Sequence, residues 1–333
     1  MSAKIVILWP STEMTGQMTE QDPRVPGLRH DTVNQLRELG VDVRLAEDEE
    51  EVVSTIPNAD VYYSRIITPE ALAEARALRW FQSSVAGMDG FWFPELRASD
   101  LNITNTRGIY SDVISDHLYG MILCFARGLH VFARLRRWEK TATPFIHLGH
   151  STLGVVGLGG IGLAVAERGH TSGMRVVGVD PAPKGKPDYI EKIYPPEELH
   201  AMLAESDFIA ICVPHTSETE HLIDAAAIDA MKDTAIILNV GRGKVISLGA
   251  LTSTLQAGKL GGAGLDVFEQ EPLPDDHPLW QMDNVILTPH VAGRSAFPYQ
   301  EARRMELLVE NMKRYLAGED LVNVVDKERG YVV

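Results

Sequence analysis

The chain is 333 residues long, 45% hydrophobic and 23% charged, with a formal net charge of −15 and a sequence pI near 5.2. That length can build two domains with separate cores, while the acidic balance argues against a nucleic-acid partner, which would draw on clustered Lys and Arg. No apolar run approaches a bilayer span, and the two cysteines, Cys124 and Cys212, sit in apolar patterns that read as buried thiols, neither a disulfide nor a metal pair; a cytoplasmic protein with no metal centre and no membrane partner is expected.

The opening apolar run is too short for a signal peptide and predicts a first strand over residues 5–9. Further strands are expected at 41–45, 61–63, 80–82 and 103–105, with helices near 29–39 and 69–75, which together make a small doubly wound domain. From Ser111 a long helix begins, with Ser111 and Asp112 as candidate caps and Val113, Ile114, Leu118, Met121, Ile122, Phe125, Leu129 and Phe132 at helical spacing. Arg134, Arg136 and Arg137 read as its solvated end. A second strand set follows at 152–156, 176–179, 208–213, 235–239, 262–267 and 285–287, six strands in all. Ser295 and Pro298 then start a helix through Met305, Leu308, Val309 and Met312 that stops at Gly318, and residues 321–325 return to the first sheet. The fold class is therefore α/β, two doubly wound parallel-sheet domains: a flavodoxin-like domain, 1–108 with 297–333, into which a larger one, 109–296, is inserted.

The larger domain opens on a strand, Leu153-Gly154-Val155-Val156, that runs into Gly157-Leu158-Gly159-Gly160-Ile161-Gly162 and then a helical segment to about Met174. Gly157 permits a tight turn, Gly159 a close approach to a pyrophosphate and Gly162 close packing of helix on strand, while the amides at Gly160 and Ile161 open the helix toward an anion. Asp180, eighteen residues after Gly162, ends the next strand, placed to accept hydrogen bonds from the adenosine ribose. Its charge would repel a 2′-phosphate, so NAD is expected over NADP; Lys184 and Lys186 keep the phosphorylated cofactor as the alternative.

Open α/β sheets bind ligands beyond the carboxyl ends of their strands. Asp180, Pro214-His215-Thr216, Asn239-Val240-Gly241-Arg242-Gly243, Asp266 and Thr288-Pro289-His290 all lie just past predicted strand ends, as do Val85, Ala86 and Gly87 in the first domain. Two such edges facing each other would form a cleft. A guanidinium can grip a carboxylate bidentately, and a histidine beside a carboxylate is favoured in its cationic, proton-donating form. With Arg242, Glu271 and His290 behind a dinucleotide loop, this is the inventory of a hydride-transfer site.

These motifs, with Pro214-His215-Thr216-Ser217-Glu218-Thr219 and Asp266-Val267-Phe268-Glu269-Gln270-Glu271-Pro272, resemble the D-isomer-specific 2-hydroxyacid dehydrogenase family. The resemblance covers nearly the whole chain. It implies a Rossmann NAD-binding domain, with Gly157, Gly159, Gly160, Ile161, Gly162, Asp180, Pro214, Val240 and Asp266 on the cofactor, Asp266 holding the nicotinamide side. Arg242 would be the substrate-gripping arginine, Glu271 the partner carboxylate and His290 the general acid/base, with the amides around Val85, Ala86 and Gly87 receiving the substrate carboxylate. Asp266 has a second reading as a backbone-capping carboxylate, His215 would line the cofactor cleft, and Arg65 is open between substrate contact and surface. Two departures stand out. Asp116-His117 replaces the family's usual Glu-His, and residues 244–248 lack the acid that commonly follows the arginine motif, which suggests altered helix capping.

Glu271, where formate dehydrogenases of this family carry Gln, favours a substrate that needs proton transfer. A small 2-oxoacid of glyoxylate or hydroxypyruvate type, reduced to the D-2-hydroxyacid, is the leading expectation. A phosphoglycerate dehydrogenase without its regulatory domain and an NAD-sensing corepressor-like protein are the alternatives. Trp138, Tyr62, Tyr63, Arg294, Phe297 and Tyr299 are candidates for the side-chain pocket. A homodimer is expected, with Trp138 entering the neighbour's site or packing in core or interface.

Overall fold

A computed structural model describes residues 6–10, 28–140, 143–183, 185–294 and 299–332. Ile5, Lys184, Ser295, Phe297 and Pro298, each used above, lie outside the described residues. The chain divides into two compact units, residues 1–109 with 295–333, and residues 110–294.

The first unit carries β1 (Val6–Pro10), β2 (Asp42–Ala46), β3 (Val61–Ser64), β4 (Trp80–Ser83) and β5 (Asn102–Thr104) in the order β2-β1-β3-β4-β5. Every pairing is parallel, the flavodoxin-like winding. Along β3 and β4 successive side chains alternate between two apolar cores: Tyr62 and Phe81 face one, Val61, Tyr63 and Trp80 the other. A parallel sheet covered on both faces buries every position of its strands. Tyr62 and Tyr63 are therefore core residues, 3% and 0% exposed, and not a substrate pocket; Tyr62 stacks on Phe81 at 5.7 Å between ring centroids, and burial pushes its hydroxyl up to about 12.

A buried polar chain runs beneath the end of β4. Trp80 Nε1 donates to Thr104 Oγ1 (2.7 Å), Thr104 Oγ1 to Gln82 Oε1 (2.8 Å), and Asn311 Nδ2 reaches the same oxygen at 3.1 Å. Asn311 lies on the helix Tyr299–Ala317 and also exchanges hydrogen bonds with the backbone of Val322. The returning tail then bridges Thr104 through Val324, antiparallel. Leaving one of these buried groups unpaired would cost about 1–3 kcal/mol.

The second unit holds β6 (Thr152–Val156), β7 (Arg175–Val179), β8 (Lys192–Tyr194), β9 (Phe208–Ile211), β10 (Ile236–Asn239), β11 (Gly262–Leu265) and β12 (Val285–Leu287), ordered β12-β11-β10-β9-β6-β7-β8. Among the described residues seven strands stand where six were expected, the added one being the three-residue edge strand β8. The pairs Leu287–Leu265, Leu265–Asn239, Asn239–Ile211, Ile211–Val156, Val156–Val179 and Val179–Tyr194 are in register. The carboxyl ends of all seven strands thus form one line. The expected long helix is broken: Ser111–Ala126 ends, Gly128 takes a left-handed conformation (φ 64°), and a short helix Leu129–Phe132 follows. The first helix is preceded by Tyr110 without a side-chain cap, so neither Ser111 nor Asp112 is its N-cap.

Among the described residues no helix is long and apolar enough to cross a membrane. Cys124 and Cys212 are free and partly exposed as residues. Burial still pushes the Cys212 thiol up to about 12 and Cys124 in the same direction, so neither is a ready nucleophile.

Candidate active site

The strand order reverses between β6 and β9, and the loops leaving those strands straddle that switch point. Gly157 follows β6 and donates its amide to Val179 O at 2.9 Å. The helix Gly160–Thr171 begins at once, with Gly159 as N-cap and no side chain bonded to its first amides. A Cβ on Gly162 would lie 1.9 Å from Gly157 O, so only glycine allows the helix this close to its strand. Gly160 is exposed and Ile161 partly so. Across the switch point Pro214 is exposed, and its turn is held by Thr219, whose Oγ1 donates to Pro214 O (2.7 Å) and accepts from Thr216 N (2.8 Å).

Asp180 follows β7. Its Oδ2 accepts from Leu158 N and its Oδ1 from Ala182 N, at 2.7 and 2.8 Å. A carboxylate offers about four acceptor positions, so it can brace the glycine loop and still receive two ribose hydroxyls. Uncapped helix amides and this carboxylate fit a dinucleotide. Lys186 donates to Ile190 O at 2.8 Å, which commits it within its own loop. Val240 is 6% exposed and its side chain belongs to the core; only its backbone can meet a cofactor.

The chemistry-bearing side chains leave β10, β11 and β12. His290 Nδ1 lies 2.7 Å from Glu271 Oε2, and Glu271 Oε1 accepts from Phe268 N at 3.0 Å. With Nδ1 turned to the carboxylate, Nε2 is the nitrogen available to a substrate; the histidine side chain is 52% exposed. His290 has φ +53°, a left-handed conformation that costs a non-glycine residue roughly 1–2 kcal/mol. Its amide offsets this by bonding Asp266 O at 2.8 Å and Thr288 O at 3.1 Å.

Arg242 lies three residues beyond β10, where Asn239 shapes the turn by donating to Arg242 O (2.9 Å) and accepting from Gly241 N (2.9 Å). Arg242 Nη1 donates to Gly241 O at 2.8 Å. A Cβ on Gly243 would sit 1.9 Å from the Phe268 carbonyl carbon, so the arginine turn packs directly on the loop that carries Glu271. Asp266 is 1% exposed. Its Oδ1 accepts from Thr288 Oγ1 (2.5 Å) and Val291 N (2.9 Å), its Oδ2 from Ala292 N (2.9 Å). These bonds describe the capping role.

The missing acid after the arginine motif is replaced from another loop. Ser247 makes no cap bond to the helix Leu248–Gln256, and Glu269 Oε1 accepts from Leu248 N at 2.9 Å and lies 2.8 Å from His221 Nε2. Sequence reading did not single out Glu269 or His221, whose partners are distant in the chain. Asp116 is salt-bridged to Arg168 at 2.7 Å. Arg65 and Arg294 are exposed.

In the first unit, the loop after β4 differs from expectation at one position. Val85 N donates to Ser83 Oγ at 3.3 Å and is turned into the loop. Val85 O accepts from Thr106 N (3.3 Å) and Ala86 O from Asn105 Nδ2 (2.7 Å). In a planar trans peptide the N–H points opposite its carbonyl, so the Ala86 and Gly87 amides face away from those donors.

A parallel sheet with a glycine loop at its switch point and a histidine–carboxylate pair beyond its strand ends defines a nucleotide-dependent oxidoreductase. The family profile described as "D-isomer specific 2-hydroxyacid dehydrogenase, NAD binding domain" matches residues 119–292. The chain is 34% identical over 290 residues to a glyoxylate reductase of Korarchaeum cryptofilum, covering 83% of this chain and 86% of the relative. Among solved structures it resembles a D-isomer specific 2-hydroxyacid dehydrogenase family protein from Aeromonas salmonicida (31% identity, TM-score 0.79, covering 98% of this chain and 100% of the other). It also resembles a D-isomer specific 2-hydroxyacid dehydrogenase from Xanthobacter autotrophicus in complex with NADPH and MES (28% identity, TM-score 0.81, covering 99% and 100%). The chain belongs to the D-isomer-specific 2-hydroxyacid dehydrogenase family and is an NAD(P)-dependent oxidoreductase.

Proposed function

We propose that the protein reduces a small 2-oxoacid of glyoxylate or hydroxypyruvate type to the D-2-hydroxyacid. The observation that carries this reading is the His290–Glu271 pair at 2.7 Å, a proton donor held by a carboxylate that is itself fixed by a backbone amide. A nicotinamide dinucleotide, when bound, supplies the two electrons and the hydrogen for C2. His290 gives its Nε2 proton to the substrate oxygen, and Glu271 stabilises the imidazolium beforehand. Arg242 binds the carboxylate with its planar fork and polarises the ketone. The cofactor is assigned to residues 157–162, Asp180, Pro214 and the Val240 backbone, with residues 110–294 as the NAD-binding domain and the other unit as the substrate domain. The test is NADH consumption across a panel of 2-oxoacids. Tight NADH binding with no turnover of any of them would sink the reading.

Within that reading NAD is preferred to NADP, because the Asp180 carboxylate beside the glycine loop would repel a 2′-phosphate and Lys186 is held by Ile190 O. Asp180→Ala should raise the KM for NADH by about a decade, the scale of one lost hydrogen bond to a charged group, and narrow the preference over NADPH. A wild type that already favours NADPH would overturn the preference.

We further propose a cytoplasmic homodimer formed through the second unit. Trp138 is 90% exposed, Phe145 55% and Leu129 50%, with Phe132 stacked on Phe145 at 5.7 Å; large apolar side chains left this exposed suit an interaction surface. Trp138→Glu should shift the species seen by light scattering from dimer toward monomer. A wild type monomeric at micromolar concentration would refute it.

A further inference from the structure

The Asp116-His117 departure leads to a chain of contacts that the proposed mechanism leaves unused. His117, on the helix Ser111–Ala126, places Nε2 3.0 Å from Thr288 Oγ1 and 3.7 Å from Asp266 Oδ1. Thr288 Oγ1 lies 2.5 Å from the same Asp266 oxygen. An ionised carboxylate only accepts, so the Thr288 hydroxyl spends its single proton on Asp266. Oγ1 must then accept from His117, which carries its proton on Nε2. Asp266 in turn receives the amides of Val291 and Ala292, the two residues after His290, while the Asp266 carbonyl takes the His290 amide itself. Each link has a direction. His117 Nε2–H orients Thr288, Thr288 orients Asp266, and Asp266 holds a loop whose left-handed turn at His290 would otherwise relax. On the neighbouring position Asp116 is engaged by Arg168, which anchors this stretch of helix against the helix Gly160–Thr171.

We propose that His117 is a positioning residue for His290, acting through the hydroxyl of Thr288 and the carboxylate of Asp266; this rests on the reading of His290 as the proton donor. The chain is linear, so breaking any link should have the same effect, and breaking two should add nothing. His117→Ala should lower kcat for 2-oxoacid reduction about tenfold, the order expected when a catalytic group is slightly misplaced, with NADH affinity within about twofold of wild type. His117→Gln puts an amide N–H near the position of Nε2 and should restore most of the rate. Thr288→Val, which keeps shape and loses the hydroxyl, should match His117→Ala, and the double variant should be no slower than either. Multiplying losses, an inactive Gln variant beside an equally inactive Ala variant, or an unaffected Ala variant would each overturn the proposal.

A second readout needs no turnover. Hydrogen exchange across residues 288–294 should quicken in His117→Ala and Thr288→Val and stay as in wild type in His117→Gln. If the wild type reduces no 2-oxoacid, the catalytic reading fails and exchange alone decides the positioning chain. If it does reduce one and exchange is the same in all variants, the positioning chain fails by itself.

Discussion

Replacing His290 should lower kcat for 2-oxoacid reduction by about two to four decades, the range for losing a positioned general acid. NADH binding should be nearly unchanged. The reason lies in where the groups sit: the dinucleotide elements leave β6, β7, β9 and β10, whereas His290 follows β12 at the edge of the same sheet. His290→Ala alone would confound two effects, since its left-handed backbone, φ +53°, is unfavourable for alanine too. Asparagine tolerates that conformation and cannot relay a proton. His290→Asn should therefore keep the loop and still lose the rate. Comparable losses in both variants would identify the missing proton as the cause, while wild-type turnover in either would remove His290 from the mechanism.

Much of this site could be read from the sequence because its parts occupy short motifs at the ends of strands, and a parallel sheet brings such ends onto one line. Gly157, Asp180, Asn239, Asp266 and Thr288 lie on or next to that line, so predicting each strand was enough to gather the residues that follow it. What escaped depended on partners far away in the chain. Asp266 had a nicotinamide reading and a backbone-capping one, and the particular partners of its capping bonds, Thr288, Val291 and Ala292, are contacts that no local pattern announces. Tyr62 and Tyr63 were expected among the candidates for the side-chain pocket. In a sheet packed on both faces the same residues are core. The edge strand β8, Lys192-Ile193-Tyr194, is too short to show a period, and Gly128 within an otherwise helical apolar pattern gave no sign of breaking the helix.

The helix cap at Leu248 makes the same point in reverse. Loss of the local acid and a change in capping were legible, and the replacement was not: Glu269, twenty-one positions along, supplies the acceptor. That bond ties the arginine turn to the loop carrying Glu271, as does the close approach of Gly243 to Phe268. Arg242 and Glu271 thus belong to one packed assembly of loops.

Arg242→Lys tests what that assembly presents. The substitution keeps the positive charge and removes the planar fork, so a carboxylate held by two parallel hydrogen bonds would be left with a single point contact. One hydrogen bond to a charged group is worth about 1.5–3 kcal/mol, which translates to roughly one to two decades in kcat/KM for 2-oxoacids. The loss should be larger if the guanidinium also polarises the ketone, because lysine cannot serve both oxygens at once. NADH affinity should hold, since Asn239 shapes the turn through the backbone of Gly241 and Arg242 and the Arg242 side chain adds one bond, from Nη1 to Gly241 O. Steady-state kinetics beside NADH fluorescence titration separates the two quantities. A lysine variant that retains wild-type kcat/KM would show that the fork is not used, and the substrate carboxylate would then have to be assigned to other donors.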